Sequence, residues 1–83
     1  GTLTKSIVHP REVIKEAVTE SSAALVLIHN HPSGEPQPSQ DDIEITHRII
    51  SACELVGIKV LDHVIIGDNN YFSFFNEGLI KEE

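Results

Sequence analysis

Residues 23–42, "AALVLIHNHPSGEPQPSQDD", decide how this chain folds. The opening "AALVLI" (23–28) is a short continuous apolar run, the pattern of a strand covered on both faces. It ends in His29 and His31, one residue apart. If the strand runs on through residue 31, both imidazoles project to the same side, because alternate residues of a strand share a face. "HPSGEPQP" (31–38) is too rich in Pro and Gly for regular structure and reads as a loop. Ser39 then starts a helix, since Ser-x-x-Asp ahead of an apolar stripe is a capping-box pattern.

The flanking sequence supplies the rest of the fold. "TLTKSIV" (2–8) is β-branched and loosely alternating, a strand. Pro10 suits the first turn of a helix over residues 10–20, in which Val13, Ile14, Ala17 and Val18 form one apolar stripe. Strand, helix and buried strand in this order predict a βαβ unit with parallel strands and a right-handed crossover. Ile43, Ile49, Ile50, Cys53 and Val56 give the buried side of a second helix over 39–56, and Gly57 is a natural residue to end it. "IKVLDHVIIG" (58–67) is another β-rich run, "DNN" (68–70) is turn material, and "YFSFF" (71–75) pairs back as an antiparallel neighbour. Leu79 and Ile80 are expected to tuck in. The expected class is a three-layer α/β domain with a mixed sheet flanked by the two helices.

At 83 residues the chain is one domain with a modest core. Six basic against thirteen acidic residues give a net charge of −7, a poor basis for phosphate-backbone binding, so this segment is expected to bind duplex DNA weakly or not at all. The single Cys53 excludes an internal disulfide. No apolar run reaches the ~18 residues of a membrane span. A soluble, cytoplasmic domain is expected. A first residue Gly1 and the absence of Met suggest residues 1–83 of something longer; if strands precede them there, one sheet edge is left open to pairing with another copy.

The C-terminal edge of such a sheet is where ligands bind in open α/β folds. There His29 and His31 would meet Asp42, in the first turn of the second helix. Two imidazoles and one carboxylate leave the fourth position of a tetrahedral Zn²⁺ free for solvent. The same residues also fit a plainer account: His-x-His arises by chance, Ser39 and Asp42 cap a helix, and Pro32 and Gly34 turn a loop. Spacing leaves both open. Among the other polar residues, His63 reads as a packed, hydrogen-bonded strand histidine, His9 as the end of the first strand, and His47 as a polar-face helix residue. Asp41 favours the helix N-terminus electrostatically, and Asn30 points opposite the two histidines.

"HNHPSGEPQPSQDD" resembles the zinc signature of the JAMM (MPN/JAB-domain) metalloproteases: His-x-His-Pro, six residues, then Ser-x-x-Asp. His29, His31, Pro32, Ser39 and Asp42 fall in register with it. "GTL", "HPRE", "HNHPSG", "PSQDD" and "LDHVIIG" follow the order and approximate spacing of the bacterial RadC-type branch, so the resemblance covers nearly the whole chain. It implies a three-layer α-β-α, cytidine-deaminase-like JAB/MPN fold. It further implies Zn²⁺ held by His29, His31 and Asp42, with Ser39 donating a hydrogen bond to the oxyanion formed at a peptide or isopeptide carbonyl. The family's general-base glutamate lies upstream of the region matching "GTL", and Glu12 does not replace it by motif. The chain on its own is therefore expected to hold metal and hydrolyse little. The expected partner is a peptide or protein substrate. The competing readings are a DNA-repair module, the traditional label of the RadC-type branch, and a non-catalytic metal-binding or protein-interaction domain.

Overall fold

In the computed structural model, which describes residues 1–6 and 9–81, the apolar run becomes the second of four strands, β2 (Ala24–Asn30), and everything else is arranged on it. In chain order the elements are β1 (Thr2–Ser6), α1 (Pro10–Thr19), β2, α2 (Gln40–Leu55), β3 (Lys59–Ile66) and β4 (Tyr71–Ser73). The sheet order is β1-β2-β3-β4, with β1, β2 and β3 parallel and β4 antiparallel to β3. β1 ends at Ser6 among the described residues; residues 7 and 8, expected in the same strand, lie outside them. His9 is the N-cap residue of α1 and not the end of a strand.

The α/β class, the mixed sheet and the two helices are as the sequence predicts. The layering differs, because α1 and α2 pack on each other and share one face of the sheet. The strand order β1-β2-β3 advances in a single direction, and successive right-handed crossovers in one direction place their helices on the same side. The described residues thus build two of the three expected layers. Leu25 and Leu27 of β2, both fully buried, meet Val13 and Ala17 of α1 and Ile49 and Cys53 of α2 in this core. Each such buried aliphatic side chain contributes about 1.5–3 kcal/mol relative to exposure. On the opposite face, Val26, Ile28 and Val64 are half-buried and Ile66 is exposed.

Several apolar residues leave the core they were expected to join. Val18 and Val56 are exposed, and of the closing pair Ile80 is buried while Leu79 stays partly exposed. β4 is also shorter than the "YFSFF" run suggests. Asp62 explains where the chain turns: its carboxylate accepts from the His63 and Phe75 amides (2.7 and 2.9 Å) and from the Ser73 hydroxyl (2.6 Å). That three-way tie bends the backbone after Ser73 and delivers Phe74 into the core.

β3 carries an irregularity that plain alternation misses. Leu25 pairs with Val60 but Val26 pairs with Asp62, so Leu61 is an extra residue in the ladder. Val60 and His63 consequently face the helices together, and Asp62 faces away. α2 ends in a Schellman arrangement: Gly57 has φ 74°, its N–H donates to Glu54 O (3.3 Å), and Ile58 N–H donates to Cys53 O (2.9 Å).

Candidate metal centre

β2 ends with His29 on the helix-facing side, and the ladder continues one step further, where His31 N–H donates to Ile66 O (3.1 Å). His31 therefore stays in strand register, on the same side as His29. The following loop returns the chain to Ser39, the N-cap of α2. Ser39 Oγ accepts from the Asp42 amide (3.0 Å) and Asp42 Oδ2 accepts from the Ser39 amide (2.8 Å), a complete capping box. The box fixes the Asp42 carboxylate over the C-terminal end of β2. One ligand-capable atom from each of His29, His31 and Asp42 lies within 4.8 Å of the other two.

The donors within this cluster are arranged for a cation. His31 Nδ1 lies 2.7 Å from Glu35 O, and a carbonyl only accepts, so Nδ1 carries a proton. In the neutral ring Nε2 then presents a lone pair, and it faces Asp42 Oδ2 at 3.0 Å. His29 Nδ1 stands 3.6 Å from Asp42 Oδ1 and is buried with no hydrogen-bond partner. Lone pairs converging on a carboxylate need a proton or a metal ion between them. Burial works to raise the Asp42 carboxyl, but the Ser39 hydrogen bonds and the neighbouring His29 and His31 outweigh it, holding its pKa below the ordinary 3.8. An ionised carboxylate and two imidazoles form a donor set suited to Zn²⁺.

The loop between the ligands is clasped by the turn that follows β3 at the same edge of the sheet. Asp68 N–H donates to Gly34 O (2.8 Å), and Gly67 N–H donates to Asn70 O (2.9 Å) in the β3–β4 turn. A Cβ on Gly67 would strike the Gly34 carbonyl oxygen and meet Asn70 Oδ1 at 2.6 Å. Only a glycine lets the two backbones approach so closely, and this contact steadies the segment whose Glu35 carbonyl orients His31.

Sequence reasoning singled out His29, His31, Ser39 and Asp42, and the structure brings the four together. The Ser39 side chain is exposed and already accepts one hydrogen bond, which leaves its own O–H free to donate. Asp41 and Glu12 are exposed first-turn acids of α2 and α1, His47 is exposed on α2, and Asn30 is exposed at the end of β2. No second carboxylate joins the cluster among the described residues. His63 is buried and hydrogen-bonded, as expected of a packed strand histidine. Thr46 passed unnoticed in the sequence although it accompanies the site closely: its Oγ1 lies 2.6 Å from Asp42 O and 2.7 Å from His63 Nδ1. Its spacing of four from Asp42 was the available signal.

A family model described as the RadC-like JAB domain matches residues 1–79. The UPF0758 protein of Trichlorobacter lovleyi is 62% identical over 80 residues, covering 96% of this chain and 35% of that protein. The UPF0758 protein of Desulforudis audaxviator is 62% identical over 79 residues (95% and 34%), and that of Methanosarcina mazei 53% over 81 residues (98% and 35%). The chain thus spans about a third of the length of these curated relatives.

Proposed function

The chain belongs to the RadC-like JAB domain family, and from that premise we propose that it is the zinc-holding core of a hydrolase that cleaves peptide or isopeptide bonds. His29, His31 and Asp42 would hold the ion. One observation carries the reading: the hydrogen bond from His31 Nδ1 to Glu35 O turns the Nε2 lone pair onto the Asp42 carboxylate, an arrangement that a cation resolves. When bound there, zinc polarises a substrate carbonyl and acidifies water.

The chain's own residues have defined tasks in this reading. The capping box holds Asp42 rigid and ionised, so that no proton competes for its oxygens at neutral pH. The Glu35 carbonyl fixes the His31 ring, as outer hydrogen-bond partners of ligand histidines do. Ser39, tied by its amide to Asp42, offers its O–H to the oxygen of the carbonyl under attack, where negative charge grows; a donor in that role is worth ~10²–10³-fold in rate. Moving the proton from water to the leaving amine needs a further base, and a positioned carboxylate supplies ~10²–10⁴-fold. With Asp42 committed to the metal, that base is proposed to come from outside these residues, in the longer protein. The net charge of −7 supports a protein substrate over duplex DNA.

The test is metal analysis of the protein purified without chelator, alongside His29→Ala, followed by zinc-loaded assays of the longer protein on peptide and isopeptide libraries. One zinc per chain, lost in the variant, with cleavage by the longer protein that Asp42→Ala abolishes, is the expected outcome. Metal content that His29→Ala leaves unchanged would sink the reading.

A further inference from the structure

Among the described residues, His63 is the one buried titratable side chain at this end of the sheet that the proposed chemistry leaves unused. Only 1% of it is exposed, its ring stacks on Phe74 (centroids 4.5 Å apart, planes at 15°), and it runs nearly parallel to the His29 ring (6.0 Å, 21°). Its Nδ1 lies 2.7 Å from Thr46 Oγ1, which itself lies 2.6 Å from the backbone oxygen of Asp42. The direction of these bonds follows from counting hydrogens. The Asp42 carbonyl only accepts and the Thr46 hydroxyl has a single hydrogen, so Thr46 donates to Asp42 and accepts from His63. The proton of His63 is thereby placed on Nδ1. Nε2 keeps a lone pair and is buried without a partner.

We propose that His63 is a positioning residue for the metal centre, tying β3 through Thr46 to the turn of α2 that carries Asp42. The inference rests on the zinc reading above. The tie reaches the ligand's backbone, while the capping box holds its carboxylate and its amide, so Asp42 is fixed at every polar group it has. An apolar side chain at position 63 would fill the same space without stranding Nε2. What it would forfeit is the donor to Thr46, and the Thr46 hydroxyl could then rotate away from Asp42. Parallel stacking beside His29 gives the same ring a second hold on the ligand set.

The experiment measures Zn²⁺ affinity by competition with a chromophoric chelator, and ligand geometry from the visible absorption of the Co²⁺-loaded protein. His63→Phe keeps a stacked ring and removes the donor; Thr46→Val removes the hydroxyl at constant size. Each is expected to weaken zinc binding ~10–100-fold, the range for outer partners of metal ligands. Each is also expected to alter the Co²⁺ spectrum, while Thr46→Ser restores both readouts. The double variant is expected to bind no more weakly than the singles, because both cut one chain of bonds. ¹⁵N spectra of the wild-type protein should show His63 as the Nδ1–H tautomer. Wild-type zinc affinity and Co²⁺ spectrum in Thr46→Val, losses that multiply in the double variant, or an Nε2–H tautomer would each overturn the proposal. If His63→Phe fails to fold, the Thr46 pair and the tautomer still decide it. A wild-type protein that binds no zinc overturns the hydrolase reading instead.

Discussion

α1 and α2 each begin just past the C-terminal end of a parallel strand, yet their first turns are held in different ways. α1 starts at His9, which makes no side-chain cap, and relies on Pro10, whose ring sets the backbone angle and whose missing N–H leaves nothing unsatisfied. α2 starts with a reciprocal capping box in which the acid is also the candidate ligand. A free helix start costs little where nothing depends on its exact placement. Where a carboxylate must stand within reach of two imidazoles, the same few residues both start the helix and aim the group. Local folding and site geometry are one problem at α2 and two separate ones at α1.

The contrast is sharpest for the first-turn acids. Asp42→Ala is expected to weaken Zn²⁺ binding more than ~100-fold, beyond the range for outer partners. It should also lower stability by about 1 kcal/mol through the lost cap. Glu12→Ala, the matching position in α1, should leave zinc binding unchanged and stability within about 0.5 kcal/mol. Chelator competition and urea melts of the two variants make the comparison. Equal effects would show that the two helix starts are interchangeable after all.

Acid probes the same difference in the metal-free protein. Burial, with His29 adding to it, lowers the His63 pKa from 6.5 to about 4. The unfolded chain then takes up a proton before the folded one does, so the contribution is complete above pH 6.5 and is lost as pH falls toward 4. Up to about 3 kcal/mol disappears in that window. Asp42, lowered from 3.8, contributes stability that is lost only below that value. Stability measured from pH 7 to 3 should therefore fall in two stages, and His63→Phe should flatten the first. A flat profile down to pH 4 would contradict the buried, neutral His63.

Two paired comparisons complete the series. Gly67→Ala pushes a methyl into the Gly34 carbonyl and is expected to cost about 1–3 kcal/mol. Gly57→Ala meets no neighbour within 4 Å and should lose only about 1 kcal/mol, for its φ of 74°. Ser39→Ala should cost about 1 kcal/mol, against a few tenths for His9→Ala. Thermal melts of the four variants rank them, and a His9 effect as large as that of Ser39 would remove the asymmetry between the helices.

The parts legible in the sequence were those fixed by neighbours along the chain. The apolar run of β2, the i, i+2 histidines, the Ser39–Asp42 box and Gly57 are all local patterns, and each stands in the structure as read. What escaped depends on residues far apart in sequence. The Gly34–Gly67 approach joins two loops, the tie from Thr46 to His63 crosses from helix to strand, and the sharing of one face by both helices follows from strand order. Val18 and Val56 show the same limit: spacing marks an apolar stripe, but the width of the stripe that finds cover is set by the partner.

The extra residue at Leu61 acts on β3 as a shifted reading frame acts on a message. Counted forward from Ile58 by twos, the strand would bury Asp62 and Val64; beyond Leu61 the count restarts, and His63 and Ile65 go inward in their place. Regular pairing with Leu61 kept in the ladder would exchange inside for outside at every position from Asp62 to Ile66, stranding a carboxylate under the helices and freeing Thr46 of its partner. Removing Leu61 would instead leave each of those side chains on its present face. Length changes in related chains are therefore expected at Leu61 itself, in the turn after Gly67 or ahead of Lys59, where they move no side chain across the sheet.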